Sequence, residues 1–439
     1  MSRLPALVVV AAAVLAPAAA AQDTLDLPSA QEAALRTDPR ARQRELLRSV
    51  TDLRRAAIGT DRLPSFSLRG VASHQSDVTR PSLGVPGITI PDLPKDRWQT
   101  TLDVEQPLYD GGDVSRRRAV EEARHAEAEA GVDVALYRLR SEVNSSFYAA
   151  FLLDRQAREL EALVTDLDAR LAAVRARVEA GTALGRDAAE IEAELVRAEL
   201  RRDEARASRR AALAILSDLV GSPVDSTAVL VLPDAEPERS LPTDPAVLSS
   251  LRRRPEFDQL RLSRARLERE VEAAGVENRP RLFAFGQAGV GLPGLDQFRR
   301  SSDAFWQAGV RLEWRPWTWR SAGRRAAALR LEQEVLQTEE TALARRLART
   351  VTSDLEEVAR LKAALADDER IVALRTEVER QARAQYDEGA ITTPDYVEAR
   401  TDVLEARLEL ERHRVELAQA RSRYVTTLGI TSPTTSDAR

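Results

Sequence analysis

Between Leu136 and Val178 the apolar residues of this chain recur at alternating spacings of three and four. Leu136, Leu139, Val143, Ser146, Ala150, Leu153, Ala157, Leu160, Val164, Leu167, Leu171, Val174 and Val178 lie on that seam, and all but Ser146 are apolar. A seam kept up for about six heptads is that of a coiled coil. From Val114 to Ala180 there is no proline and one glycine, Gly131. The stretch therefore predicts one unbroken helix, roughly 100 Å long at 1.5 Å per residue. That is longer than a compact domain is wide. The helical reading pauses at Gly181-Thr-Ala-Leu-Gly185 and resumes to Gly221, so the unit is a helical hairpin.

The design occurs twice. Leu139, Val143, Gly181, Asp187 and Glu190 coincide with Leu347, Val351, Gly389, Asp395 and Glu398 at one constant offset, 347 − 139 = 208. Upstream, Pro39, Pro64 and Gly70 pair with Pro255, Pro280 and Gly286 at 255 − 39 = 216. The missing eight residues fall in the connection near Gly291 to Asp303, which is shorter than its counterpart with Pro81, Pro86, Pro91 and Pro94. Length differences collect in exposed loops, so each half is a strand-loop-strand unit ahead of its hairpin, within a tandem repeat. The second seam, in a helix from near Ser321 to about Asp387, is less strict: Asp354, Asp368, Arg375 and Glu379 fall on it. A last helix is expected from about Pro394 to Leu428.

The strands are read from a change of period. Ser65 to Ser73 and Trp98 to Leu108 alternate polar with apolar, and so do Leu282 to Val290 and Phe305 to Trp314. Ser29 with Glu32 spells a capping box for a helix running to about Ile58, and Asp244 to Val276 reads as its repeat. Prolines 223, 233, 237, 242 and 245 punctuate the junction between halves, where Thr227 to Leu232 fits a short strand. All five tryptophans, Trp98, Trp306, Trp314, Trp317 and Trp319, lie in or beside strands. Strand propensity accounts for that, and so does a membrane interface. Four strands cannot close a barrel across a membrane, which takes at least eight, whereas three chains supply twelve; a membrane reading requires a trimer.

Composition narrows the classes. Charged residues make up 31% of the chain and aromatics 4%, as long helices require. The net charge of −5 makes no case for nucleic acid. There is no cysteine, which excludes a disulfide framework, a thiol nucleophile and a cysteine-anchored lipid. His74, His125 and His413 are far apart, and no metal site, cofactor site or catalytic constellation is expected. Residues 1–21 have the pattern of a secretory signal: Arg3, an apolar run from Leu4 to Leu15, and Ala19-Ala20-Ala21. The run is short for a membrane anchor.

Over nearly its whole length after residue 21 the chain resembles the TolC family of outer-membrane efflux proteins. The resemblance rests on the duplicated order of helix, two strands and long hairpin, and on the strand exit Gln106-Pro-Leu-Tyr-Asp-Gly-Gly112. It rests also on the tips, Arg177-Val-Glu-Ala-Gly181 before Asp187 and Tyr386-Asp-Glu-Gly389 before Asp395 and Glu398. It implies a mainly α protein with membrane β: a homotrimeric 12-stranded β-barrel in outer-membrane lipid, continuing into a long α-helical coiled-coil barrel in the periplasm. The domain organisation expected is a signal peptide at 1–21, a first repeat at 22–221 and an equatorial linker at 222–247. A second repeat at 248–428 and a flexible tail at 429–439 follow.

The function implied is a passive exit duct of a tripartite efflux or type I secretion system, not an enzyme. A periplasmic adaptor and an inner-membrane pump are its implied partners, and no nucleic acid. The resemblance places the gate and the adaptor-docking site at the tips, with Gly181, Asp187, Glu190, Tyr386, Gly389, Asp395 and Glu398. In a trimer each carboxylate occurs three times, and such rings select cations. The same residues also read as helix punctuation: Asp187 with Glu190 as a capping box, Thr393-Pro394 as a cap ahead of Asp395, and the glycines as helix ends. Tyr386 matches a family tyrosine that helps hold the tip shut, and reads equally as a seam residue. Where the family often has a basic residue two positions after the second tip glycine, this chain has Ile391; Arg186 or apolar contact is the expected substitute. Trp98, Trp306 and Trp314 are the expected membrane-interface aromatics. A periplasmic adaptor would carry one hairpin between small β-domains, and a structural coiled-coil envelope protein would lack the amphipathic strands; both are the alternatives.

Overall fold

The computed structural model describes residues 24–78, 93–232, 251–296 and 301–430. The signal at 1–21, the loop prolines 81, 86 and 91 and most of the linker at 222–247 lie outside the described residues. So do the first residues of the helix expected from Asp244 and all but two residues of the tail.

Two helices of 67 residues dominate, α3 (Asp113–Glu179) and α6 (Ser321–Asp387). Their first residues are 208 apart and so are their last, so the offset seen in the sequence holds at both ends. Each turns back into a shorter antiparallel partner, α4 (Gly185–Val220) and α7 (Thr393–Thr427). Of the thirteen seam positions in α3, all but Ser146, Leu153 and Val178 are buried, and those three are half-buried. Each fully buried Leu contributes about 1.5–3 kcal/mol, so the seam alone accounts for the length of the hairpin. Half-way along α3, where α4 ends, Leu27, Ala30 and Ala34 of α1 (Leu27–Thr37) join Phe147, Leu213 and Leu216 in one buried cluster.

Three sequence expectations shift. Asp26, not Ser29, caps α1: its carboxylate accepts the Ser29 N–H at 2.8 Å, while Glu32 pairs with Arg36 on the surface. The helix expected to run to Ile58 breaks at Asp38-Pro39 into a 3-10 turn (Pro39–Arg42) and α2 (Gln43–Thr60), because proline removes a helical donor. A short strand β1 (Thr24–Asp26), unseen in the sequence, pairs in parallel with β4 (Val229–Val231) at the junction.

The remaining strands form one sheet in the order β2-β3-β5-β6, all antiparallel: β2 (Ser65–His74), β3 (Asp96–Tyr109), β5 (Arg281–Leu292) and β6 (Asp303–Glu313). Helix α5 (Pro255–Ala274) leads into β5 as α2 leads into β2. Within the chain the sheet is open, with β2 and β6 at its edges.

Candidate functional site: a two-faced sheet and paired hairpin tips

Register sorts the sheet into two faces, since successive side chains alternate. Phe66, Leu68, Leu102, Val104, Ala288, Val290, Trp306, Val310 and Leu312 share one face. Phe66 and Leu68 are more than two-thirds exposed, and nothing in the described chain covers them. An exposed apolar surface of this extent marks a contact with lipid or protein. The opposite face carries a polar ladder. The Gln307 amide donates to Gln287 at 2.6 Å, and Gln287 in turn donates to Asp103. Arg311 pairs with Glu105 and Glu313 beside the ring of Phe283.

The predicted interface aromatics take distinct places. Trp98 lies on the apolar face opposite Leu292, at the end away from the helices. Trp306 lies between, opposite Ala288. Trp314 follows the last residue of β6, its indole N–H donating to the Asn278 carbonyl at 3.1 Å.

At the other pole, Gly181 (φ +73°) and Gly389 (φ +75°) end α3 and α6 in the left-handed conformation that glycine adopts without a Cβ penalty. The next N–H of each loop closes back on the helix, Thr182 to Arg177 and Ala390 to Gln385, both at 2.8 Å. The caps sit one residue or one turn before their predicted places. Helix α7 is capped by Thr392 rather than Thr393: Asp395 accepts the Thr392 N–H at 2.9 Å and its hydroxyl at 2.6 Å. These bonds hold the Asp395 carboxyl below its ordinary value. Asp187 is the third residue of α4, not its cap, and accepts the Leu184 N–H at 3.2 Å. Glu190 takes no part in that cap, and Glu190 and Glu398 are exposed.

Tyr386 stacks on Tyr396 with ring centroids 5.2 Å apart, and its hydroxyl accepts from Thr393 at 3.4 Å. Tyr396 is fully buried, and the Arg170 guanidinium lies 4.2 Å above its ring. Burial pushes the Tyr396 hydroxyl up to about 12. Asp166 ties the hairpins together, bonded to Arg170 of its own helix at 3.4 Å and to Arg400 of α7 at 3.1 Å. Sequence reasoning missed this clamp; its only signal is that tyrosines flank Gly389 on both sides. Ile391 is half-buried against the same apolar cluster. Arg186 is exposed, and among the described residues its one ion pair is with adjacent Asp187, at 3.8 Å. Of the predicted site, Tyr386, Gly389 and Asp395 thus meet at one tip, and Gly181, Asp187 and Glu190 belong to the other.

Buried polar groups in the second hairpin were visible only as seam faults. Asp354 accepts from Arg423 at 2.7 Å and Thr427 at 2.9 Å, and Asp368 meets His413 at 2.6 Å. No described helix is long and apolar enough to cross a membrane. No group of three or more metal-ligating side chains occurs among the described residues.

A chain of paired coiled-coil hairpins carrying a sheet with one apolar face has the architecture of a channel wall. Residues 30–222 match the model of the outer membrane efflux protein family. That match, over the first repeat, is to a family of outer-membrane efflux proteins. Three solved structures share the fold of this chain. CusC superposes with a TM-score of 0.71 at 16% identity, covering 92% of each chain. A membrane protein from Pseudomonas aeruginosa gives 0.68 at 16%, covering 94% of this chain and 92% of its own. The outer membrane protein VceC of Vibrio cholerae gives 0.65 at 16%, covering 92% and 96%. No curated protein matches the chain in sequence.

Proposed function

We propose that three copies of this chain close a twelve-stranded barrel and a continuous helical tunnel, a duct gated at its hairpin tips. The observation that carries this is the sheet: one apolar face, one polar face and two open edges. From Leu292 to Leu282 the apolar face of β5 spans ten residue steps, roughly 34 Å along the strand at 3.4 Å per residue. Tilted by about 40°, that is on the order of 25 Å of height, the thickness of the apolar band of a membrane barrel. Barrel closure pairs the β6 edge of one copy with the β2 edge of the next and leaves no open edge.

The duct performs no bond chemistry. A periplasmic adaptor docks at the tips and an inner-membrane pump supplies the energy, in a tripartite efflux or type I secretion assembly. Fold likeness to CusC, which undergoes conformational changes accompanying folding and transmembrane channel formation, supports the channel reading. Asp187, Glu190, Asp395 and Glu398, each in three copies, would ring the periplasmic mouth with carboxylates that favour cations. Negative-stain imaging of detergent-purified protein tests the assembly. A three-fold tube with a helical part on the order of 100 Å long is expected; a monomer or an open filament overturns it.

A further inference from the structure

The two repeats share backbone geometry where the sheet passes into the long helix, but they put different chemistry there. In the first repeat Gly111 (φ +68°) and Gly112 (φ +92°) take the left-handed residues ahead of α3. At the same places in the second repeat, 208 further on, stand Trp319 (φ +50°) and Arg320 (φ +60°). Side chains rarely adopt that conformation, so the second repeat keeps a bulky indole and a cation at positions where its twin uses glycine.

The surroundings differ in the same sense. After Asp110 and Asp113 of the first repeat, Arg116 and Arg117 are bound to Glu272 and Asp61, and Arg118 to the Arg55 carbonyl. Between Glu313 and Glu332 the second repeat has five arginines and no carboxylate. Arg315, Arg320 and Arg324 are exposed, and none is in an ion pair among the described residues. Trp317 and Trp319 are 87% and 91% exposed, beyond what any other large apolar side chain in the described chain shows. The segment begins three residues beyond Leu312 of the apolar face, between the end of β6 and the start of α6.

We propose that this segment is an anionic-phospholipid site: Trp317 and Trp319 enter the bilayer interface, and Arg315, Arg320 and Arg324 hold the phosphate-bearing headgroups of the leaflet facing the helical body. Indoles suit a boundary with one apolar and one wet side. Arginine matches phosphate geometry with a planar fork of donors, and each cation near an anionic membrane surface strengthens binding about fivefold. The inference rests on the outer-membrane duct reading, which places this end of the sheet at a lipid headgroup region. It assigns that region a charge preference and confines it to one of the two repeats.

The test is native mass spectrometry of the full chain in detergent, titrated with phosphatidylglycerol or phosphatidylcholine, alongside reconstitution into vesicles of each lipid. Wild type is expected to retain phosphatidylglycerol in preference. The triple variant Arg315→Gln, Arg320→Gln, Arg324→Gln is expected to lose that preference, with affinity down roughly 100-fold. Trp319→Gly with Arg320→Gly restores the residues of the first repeat, so it should fold with an equal or higher Tm while binding both lipids less. The inference is overturned if the triple variant keeps the preference, or if millimolar inorganic phosphate displaces the lipid. It is overturned too if Trp317 and Trp319 are shielded from acrylamide in lipid-free protein, which would make a second copy their partner. Failure of wild type to enter vesicles of either lipid would instead overturn the duct reading, and this inference with it.

Discussion

Asp395 is a helix start before it is anything else. Its carboxylate is held low by the Thr392 hydroxyl and N–H, so the stabilisation it lends is present above the ordinary Asp value of about 3.9 and is lost as pH falls through the lowered one. Amide exchange across Thr392 to Tyr396 should stay slow at neutral pH and quicken in acid. The Asp395→Asn variant should show no such acid step, and an unchanged step would disprove the assignment. The latch is a separate question. Ile391 packs against the same buried tip cluster as Tyr386, while Arg186 reaches only Asp187 among the described residues. Apolar contact therefore has structural support as the substitute for a basic latch. Single-channel conductance in a bilayer decides: Arg186→Ala should leave the closed state unchanged, and a leaky closed state would restore Arg186 to the role.

At the scale of the element, the hairpins are built to one length and held by different chemistry. Leu160 and Ala205 are buried in the apolar core of the first; 208 residues on, the same positions are Asp368 and His413, in contact at 2.6 Å. His413 also faces Glu409 at 3.4 Å and Arg412 at 3.3 Å. Buried polar pairs are costly to desolvate, and hydrophobic replacement of both members is often neutral or stabilising, whereas removal of one leaves the other without its partner. Asp368→Ala should destabilise the second hairpin by about 3 kcal/mol. The double change Asp368→Leu, His413→Ala, which copies the first repeat, should match or exceed wild type in thermal unfolding. A double variant as unstable as the single would show that the pair is worth more than its apolar twin.

For the whole molecule the sheet is the sensitive part, because its apolar face needs a cover that one chain does not supply. Val310→Arg, on that face, should cost about 2–4 kcal/mol of membrane insertion and deplete the protein from outer-membrane fractions. Gln307→Arg, on the polar face, should leave it there. Equal depletion by both would remove the distinction between the faces and with it the barrel assignment.

Periodicity determined the long helices and, to within two residues at each end, the four strands of the large sheet, and glycines marked the hairpin turns, because a seam of spacing three and four and an alternation of two each bury only one way. The repeat followed from the same cause: Asp113 and Ser321 begin helices at the offset already legible in Leu139 and Leu347. Local propensity went wrong by a residue or a turn at Ser29, Asp187 and Thr393, since several neighbouring residues could cap and packing chose among them. Only the tertiary structure decided what pairs across the chain. Asp166 meeting Arg400, Tyr386 lying on Tyr396, and Asp368 finding His413 join residues 10 to 234 positions apart, and no local pattern records such distances. The contrast between Gly111-Gly112 and Trp319-Arg320 is of the same kind: the residues are plain in the sequence, but that they share one backbone conformation is a property of the fold.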